Sequence, residues 1–257
     1  KKVLVVGGGP AGLKAAVIAA EKGHTVTLVE QNGYLGGNVV PGTKPPYKAE
    51  LLYAIDYLHV MLDKYKVKVL LHTKADVDLI EAEQADTVII ASGSVPITPA
   101  IPGSDPNFVI NAMDVLMGLR SVGNKAVIIG GGSVGIETGE MLVKQGKNIT
   151  VIEMLPEVLK DLSATLKAGL LYRVSQTNLQ ILTGEKVVEI IDYSVITDKR
   201  TIADVDTVIM AVGYKSNNGL IQELKDRNIN FEVVGDAAKP RKIYEAVKEG
   251  FEVAYKL

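Results

Sequence analysis

The chain has 257 residues, 47% of them hydrophobic and 23% charged, with a formal net charge of −2; this length buries a sizeable core in one or two domains, and the near-balanced charge excludes a polycationic face for nucleic acid or anionic membrane. It contains no cysteine, which excludes a disulfide scaffold, a redox-active dithiol and any thiolate-bound zinc or iron–sulfur cluster on this chain. His24, His59 and His72 show no metal-ligand spacing, so no metal site is expected, and no apolar run approaches the roughly 20 residues that span a bilayer.

The chain opens on Lys1 rather than Met, as a processed protein or a piece of a longer one does, and its first apolar run breaks into glycines too early for a signal sequence. Residues 2–30, "KVLVVGGGPAGLKAAVIAAEKGHTVTLVE", predict a strand, a glycine turn, a helix closed by Gly23 and a second strand. "KAELLYAIDYLHVMLDKY", residues 48–65, has helical spacing, with Leu51, Leu52, Ile55, Leu58 and Met61 or Leu62 on one stripe. "KVKVLLHT" and "TVIIASG" read as strands. In "SVPITPAIPGSDPN", residues 94–107, Pro96, Pro99, Pro102 and Pro106 predict a stiff connector and a domain boundary.

The first unit then recurs. Residues 125–153, "KAVIIGGGSVGIETGEMLVKQGKNITVIE", align without a gap on residues 2–30 at an offset of 123, with Gly146 in the place of Gly23. "TVIMAVG" near residue 210 echoes "TVIIASG", "YKSNNG" carries the chain back, and residues 231–257 predict a strand, a Gly-Asp turn and a closing amphipathic helix. The expected fold is α/β: two Rossmann-like dinucleotide-binding domains built on right-handed βαβ crossovers, the second (residues 101–213) inserted into the first (1–100 and 214–257).

Gly7-x-Gly9-x-x-Gly12 sits between strand and helix, where a dinucleotide fingerprint belongs. Its first glycine makes the tight turn, its second admits a pyrophosphate, its third packs helix on strand, and the helix N-terminus offers free N–H groups to the phosphates. Glu30, 23 residues after Gly7, stands where a carboxylate accepts adenosine ribose hydroxyls. Gly130-x-Gly132-x-x-Gly135 repeats the pattern with Glu153 also 23 residues on. A glutamate there repels a 2′-phosphate, and "MLPEV" supplies no arginine to receive one, so NADH is favoured over NADPH. Glu137 is either a neighbour of the nicotinamide or an ordinary acid near a helix start.

The two fingerprints, "LGGN" at 35–38, "ASG" at 91–93, "AVG" at 211–213 and "GDAAKPR" at 235–241 together resemble the two-dinucleotide-domain flavoprotein reductases over essentially the whole chain. "GGNVV", "SVGIETGEMLVKQGKNITVIEML", "AVGYKSN" and "GDAAKPRKIYEAVKEG" are most similar to the C-terminal FAD/NAD(H)-binding reductase module of the 2-enoate reductases and 2,4-dienoyl-CoA reductases. The resemblance implies that Gly7, Gly9, Pro10, Ala11, Gly12 and Glu30 bind the ADP half of FAD. Gly36 and Gly37 then line the same cofactor, Ala75 meets the adenine through its backbone, and Ala91, Ser92 and Gly93 lie nearby. Gly235 and Asp236 reach the flavin ribityl or diphosphate, and the helix from Arg241 and Ile243 aims its N-terminus at the ring. The NAD side takes Gly130, Gly132, Ser133, Val134, Gly135, Glu137, Glu153, Ala211, Val212 and Gly213.

By the same resemblance a hydride passes from NADH to FAD with no catalytic side chain, and electrons leave for an acceptor domain or protein. In the relatives that acceptor is a barrel carrying FMN and an iron–sulfur cluster, which is not on this chain, and it reduces an activated C=C bond. A cytoplasmic enzyme with no nucleic-acid or membrane partner is expected. The absence of cysteine rules out disulfide-reductase chemistry. A stand-alone NADH dehydrogenase or ferredoxin-reductase-like enzyme, and a non-catalytic ADP- or FAD-binding domain, remain open. The stretch 189–206 looks shorter than its counterpart in that family.

Overall fold

The computed structural model describes all 257 residues, Lys1–Leu257. They form two compact units: Lys1–Thr43 with Glu50–Val95 and Tyr214–Leu257, and Lys44–Ala49 with Pro96–Gly213.

The first unit is built on a parallel five-stranded sheet in the spatial order Phe231–Val233, Thr87–Ile90, Lys2–Val6, Thr25–Val29, Lys68–Leu70. Val5 pairs with Leu28 on one side and Ile89 on the other. The central strands are apolar on both faces because both are covered, as parallel sheets require. Val3, Val5, Leu28 and Ile89 pack under the helices Pro10–Glu21 and Leu52–Lys64. Leu4, Val6, Val88 and Ile90 pack under Val77, Ile80 and Leu224 of the helices Val77–Glu83 and Gly219–Asp226. The closing helix Ile243–Tyr255 lies so close to Pro10–Glu21 that a Cβ on Gly250 would stand 2.2 Å from the Ala11 carbonyl oxygen.

The second unit repeats the sheet in the order Val109–Asn111, Thr207–Met210, Lys125–Ile129, Asn148–Glu153, Gln180–Thr183. Ile128 pairs with both Val151 and Ile209. Ile136 and Leu142 of the helix Ser133–Lys144 and Leu170 and Val174 of the helix Ala164–Ser175 bury one face. The other is covered by an antiparallel sheet of Val187–Ile191, Ser194–Thr197 and Thr201–Ile202. The stretch 189–206 is therefore a closed unit, turned tightly at Asp192 and Tyr193, which both have positive φ (47° and 56°) as a type I′ turn demands. The α/β class and the parallel, Rossmann-like sheets expected from the sequence are present.

Three details depart from the sequence reading. Residues 96–100 group with the second unit, because Ile97 N–H donates to the Gly213 carbonyl at 2.9 Å. Lys44–Ala49 also groups there, held by ion pairing and aromatic contacts described below. The expected helix over 48–65 is a 3-10 turn at Ala49–Leu51 followed by an α-helix at Leu52–Lys64, so Leu51 faces outward while Ile55, Leu58 and Leu62 enter the core.

Candidate functional site

At the end of strand Lys2–Val6, Gly7 has φ +109°, and a Cβ there would lie 2.2 Å from the Ala91 carbonyl oxygen. A Cβ on Gly12 would lie 2.0 Å from the Gly7 oxygen and 3.1 Å from the Ala91 Cβ. The fold itself demands these two glycines, and Ala91 of "ASG" is small because it lies beneath them. Gly9 differs. Its φ of −78° and ψ of −179° suit any residue, and a Cβ would meet nothing nearer than the Gly37 Cα at 4.0 Å. Nothing within the chain requires Gly9 to be bare. Pro10 takes the first helical position, where its missing N–H costs nothing, and no side chain caps the helix, so the N–H groups of Ala11 and Gly12 face the loop.

Glu30 is buried and ties the loop down: its Oε2 accepts Gly8 N–H at 2.8 Å, and its Oε1 accepts Asn32 N–H and Nδ2 at 2.8 Å each. One lone-pair direction of the carboxylate remains free. Gly36 N–H donates to the Gly8 carbonyl at 2.8 Å, which sets Gly36 and Gly37 against the fingerprint. Thr73 N–H reaches the Glu30 carbonyl at 2.8 Å and brings Ala75 to the same end of the sheet. Asp236 is organised from both sides: Ser94 Oγ donates to its Oδ2 at 2.8 Å and Arg241 N–H to its Oδ1 at 3.0 Å. Gly235 N–H is taken by Glu249 Oε2 at 2.8 Å, and Ile243 opens the closing helix, partly exposed. Ser92 Oγ donates to the Asn217 carbonyl at 2.6 Å, while Gly93 accepts Asn217 N–H at 2.9 Å. Burial and the Asp236 charge push the neighbouring Tyr214 phenol above its ordinary pKa. Sequence reasoning did not single out Ser94, Asn217 or Glu249, although Asn217 ends "AVGYKSN" and Glu249 lies within "GDAAKPRKIYEAVKEG".

The second fingerprint is built the same way. Gly130 has φ +114°, a Cβ there would lie 2.3 Å from the Ala211 oxygen, and one on Gly135 would lie 1.9 Å from the Gly130 oxygen. Ala211 of "AVG" thus repeats the part of Ala91, with Val212 and Gly213 following it at the strand end. Gly132, at φ −71° and ψ 180°, has open space around it out to Asp161 Oδ1 at 3.8 Å. Glu153 Oε2 accepts Gly131 N–H at 2.7 Å and Oε1 accepts Leu155 N–H at 2.8 Å, which leaves two lone-pair directions free. Val134 and Gly135 present first-turn N–H groups, but Ser133 N–H already donates to both oxygens of Asp161, at 3.2 Å each. Sequence reasoning missed Asp161.

Glu137 is buried on the helix Ser133–Lys144 and pairs with Lys48 Nζ at 2.6 Å. One turn on, Glu140 has a fully buried side chain held by Arg173 and Lys144. Burial alone would push its carboxyl up, but hydrogen bonds and charge from Arg173 and Lys144 outweigh that and hold it below the ordinary range. The Tyr47 ring lies under Lys144 Nζ (4.6 Å to the centroid) and Arg173 Cζ (5.1 Å). These contacts attach Lys44–Ala49 to the second unit. No group of side chains suited to a metal ion is present, and no helix is long and apolar enough to cross a membrane.

Two parallel sheets, each with a glycine loop that runs into a helix and a carboxylate at the end of the neighbouring strand, define a protein built for two dinucleotides. Residues 1–250 match the family model described as pyridine nucleotide-disulphide oxidoreductase, and the chain belongs to that family. It is 36% identical to an NADH oxidase of Thermoanaerobacter brockii over 266 residues, covering 100% of this chain and 41% of that protein. It is likewise 36% identical to a cinnamate reductase of Clostridium sporogenes, covering 99% and 39%. The solved complex of 2-naphthoyl-CoA reductase with 2-naphthoyl-CoA superposes with a TM-score of 0.94 at 33% identity, covering 100% of this chain and 40% of that one. The chain thus spans about two fifths of the length of these relatives. Its family is one of oxidoreductases that work with FAD and a nicotinamide dinucleotide, and no Cβ at Gly9 or Gly132 crowds the loops where such cofactors would lie.

Proposed function

We propose that this chain takes a hydride from NADH onto FAD and passes the electrons to an acceptor group on another part of a longer protein, or on a partner. The observation that carries this reading is the bareness of Gly9 and Gly132, which neither backbone conformation nor packing within the chain requires. When bound, FAD and NADH supply the hydride chemistry themselves. The residues of the chain bind and orient them. Gly7, Gly9, Gly12 and the N–H groups of Ala11 and Gly12 would receive the FAD diphosphate, Glu30 its adenosine ribose, and Asp236, fixed by Ser94 and Arg241, the ribityl side. Gly130, Gly132, Gly135 and Val134 would receive the nicotinamide dinucleotide diphosphate and Glu153 its ribose. Glu137, as an ion pair with Lys48, would offer the nicotinamide a fixed charged wall.

An acceptor beyond this chain is supported by the greater length of the relatives, and an activated C=C bond as the final substrate by the names cinnamate reductase and 2-naphthoyl-CoA reductase. We place the reaction in the cytoplasm, where NADH is supplied. The test is spectroscopic: the chain loaded with FAD should be yellow and should bleach anaerobically with NADH faster than with NADPH. Gly9→Ala should fold normally and fail to retain flavin. A Gly9→Ala protein that holds FAD as the wild type does would sink the assignment of the first loop.

A further inference from the structure

We infer that Asp161 is a built-in competitor for the diphosphate of the nicotinamide dinucleotide, so that this residue sets how tightly the second fingerprint holds its nucleotide. The inference rests on the reading that the second loop binds that nucleotide. Both carboxylate oxygens of Asp161 accept the N–H of Ser133, the first residue of the helix, and Oδ1 lies 3.8 Å from where a Gly132 Cβ would be. The carboxylate therefore borders the space that the bare glycine keeps open, on an N–H a phosphate oxygen would take.

The placement is built by the loop and is not incidental to it. Val158 and Leu159 are buried, Leu159 N–H donates to the Gly131 carbonyl at 2.8 Å, and Leu159 holds φ +59°, which an L side chain adopts only under constraint. That turn swings Asp161 back over the helix start. Asp161 does not serve its own downstream helix: Ala164–Ser175 begins at Ser163 with no side-chain cap, and Asp161 has no hydrogen bond other than those to Ser133 and no ion pair.

The first fingerprint has no such occupant, and its first helical residue offers none a bond. Pro10 stands where Ser133 stands in the second, and it has no N–H to offer a carboxylate. One helix start is open for a cofactor that stays. The other carries a removable anion, as suits a nucleotide that must arrive and leave each cycle. The latch is weak enough to open: 3.2 Å is long for a charge-assisted bond, and Asp161 is exposed, so it can turn into water.

The test is calorimetric titration of NAD+ into the flavin-loaded wild type and the variants Asp161→Asn, Asp161→Ala and Gly132→Ala. An anion near a helix start acts through the dipole and through direct repulsion of the diphosphate, so both Asp161 variants should bind NAD+ about three- to tenfold more tightly. The gain should shrink as salt rises. Affinity unchanged or weakened in both Asp161 variants overturns the inference while leaving the nucleotide assignment intact, provided Gly132→Ala has lost binding. NAD+ bound equally by Gly132→Ala and wild type instead overturns the assignment of the second loop, and the role of Asp161 falls with it.

Discussion

Arg173 grips Glu140 at two points, Nε to Oε1 at 3.1 Å and Nη2 to Oε2 at 3.0 Å, and so fastens the helix Ala164–Ser175 to the helix Ser133–Lys144. The carboxylate has no exposure of its own, and Lys144 reaches the same Oε1 at 3.1 Å. Removing Arg173 would leave a buried charge with one flexible partner. Arg173→Met should therefore cost about 2 kcal/mol in urea unfolding at pH 7, less than a fully buried pair because the guanidinium is partly in water. The sign with pH follows from the lowered Glu140 pKa. Stability from this group is present above the unfolded carboxyl value of about 4.3 and is lost as pH falls through the folded value. The gap between wild type and Arg173→Met should accordingly close in acid; a gap that stays constant down to low pH contradicts the ion-pair account.

Thr138, between Glu137 and Gly139, is fully buried and its hydroxyl has no hydrogen-bond partner. Valine has the same shape without the orphan oxygen. Thr138→Val should raise stability by about 1 kcal/mol, which a thermal melt would read as a rise of a few degrees. A fall in melting temperature would mean that the hydroxyl is satisfied, and the buried helix face would need redrawing.

The glycines of one fingerprint answer to different masters, and stability measurements separate them. Gly130→Ala forces a Cβ to 2.3 Å from the Ala211 oxygen in a backbone conformation of positive φ; it should cost more than about 3 kcal/mol or prevent folding. Gly132→Ala meets only Asp161 Oδ1, at an unstrained 3.8 Å, and should unfold within about 0.5 kcal/mol of wild type. Equal destabilisation by both would show that Gly132 is structural, and the bareness that supports the nucleotide reading would lose its meaning.

Local pattern explains what could be read without coordinates. The strands carrying the fingerprints are continuous apolar runs because both faces are buried, and the 123-residue offset between Gly7 and Gly130 survives in space as two sheets of one design. What could not be read depends on distant partners. Lys48 and Glu137 are 89 residues apart, so nothing near residue 48 announces that Lys44–Ala49 belongs with the second unit. Asp161 reaches Ser133 only through the left-handed turn at Leu159. The edge strands also escape pattern: Phe231–Val233 joins its sheet last in the chain and Val109–Asn111 joins its sheet first, although they fill equivalent places. Ala91 and Ala211 look like ordinary strand ends until the glycines above them are seen.

Glu153 pins the glycine loop, and the proposed function gives it a second role in choosing NADH; the two can be separated. Its Oε2 holds Gly131 N–H and its Oε1 holds Leu155 N–H, so truncation to alanine would loosen the loop as well as remove the charge. Glu153→Gln keeps an oxygen for one of those N–H groups and discards only the negative charge that would repel a 2′-phosphate. In the flavin-loaded protein, the ratio of anaerobic bleaching rates with NADH and NADPH should favour NADH in the wild type. It should fall about tenfold in Glu153→Gln, the equivalent of roughly 1.4 kcal/mol of lost discrimination. Glu153→Ala should lose the preference and slow both reactions. A ratio unmoved by Glu153→Gln would detach the carboxylate from the ribose and leave it only the work of pinning the glycine loop.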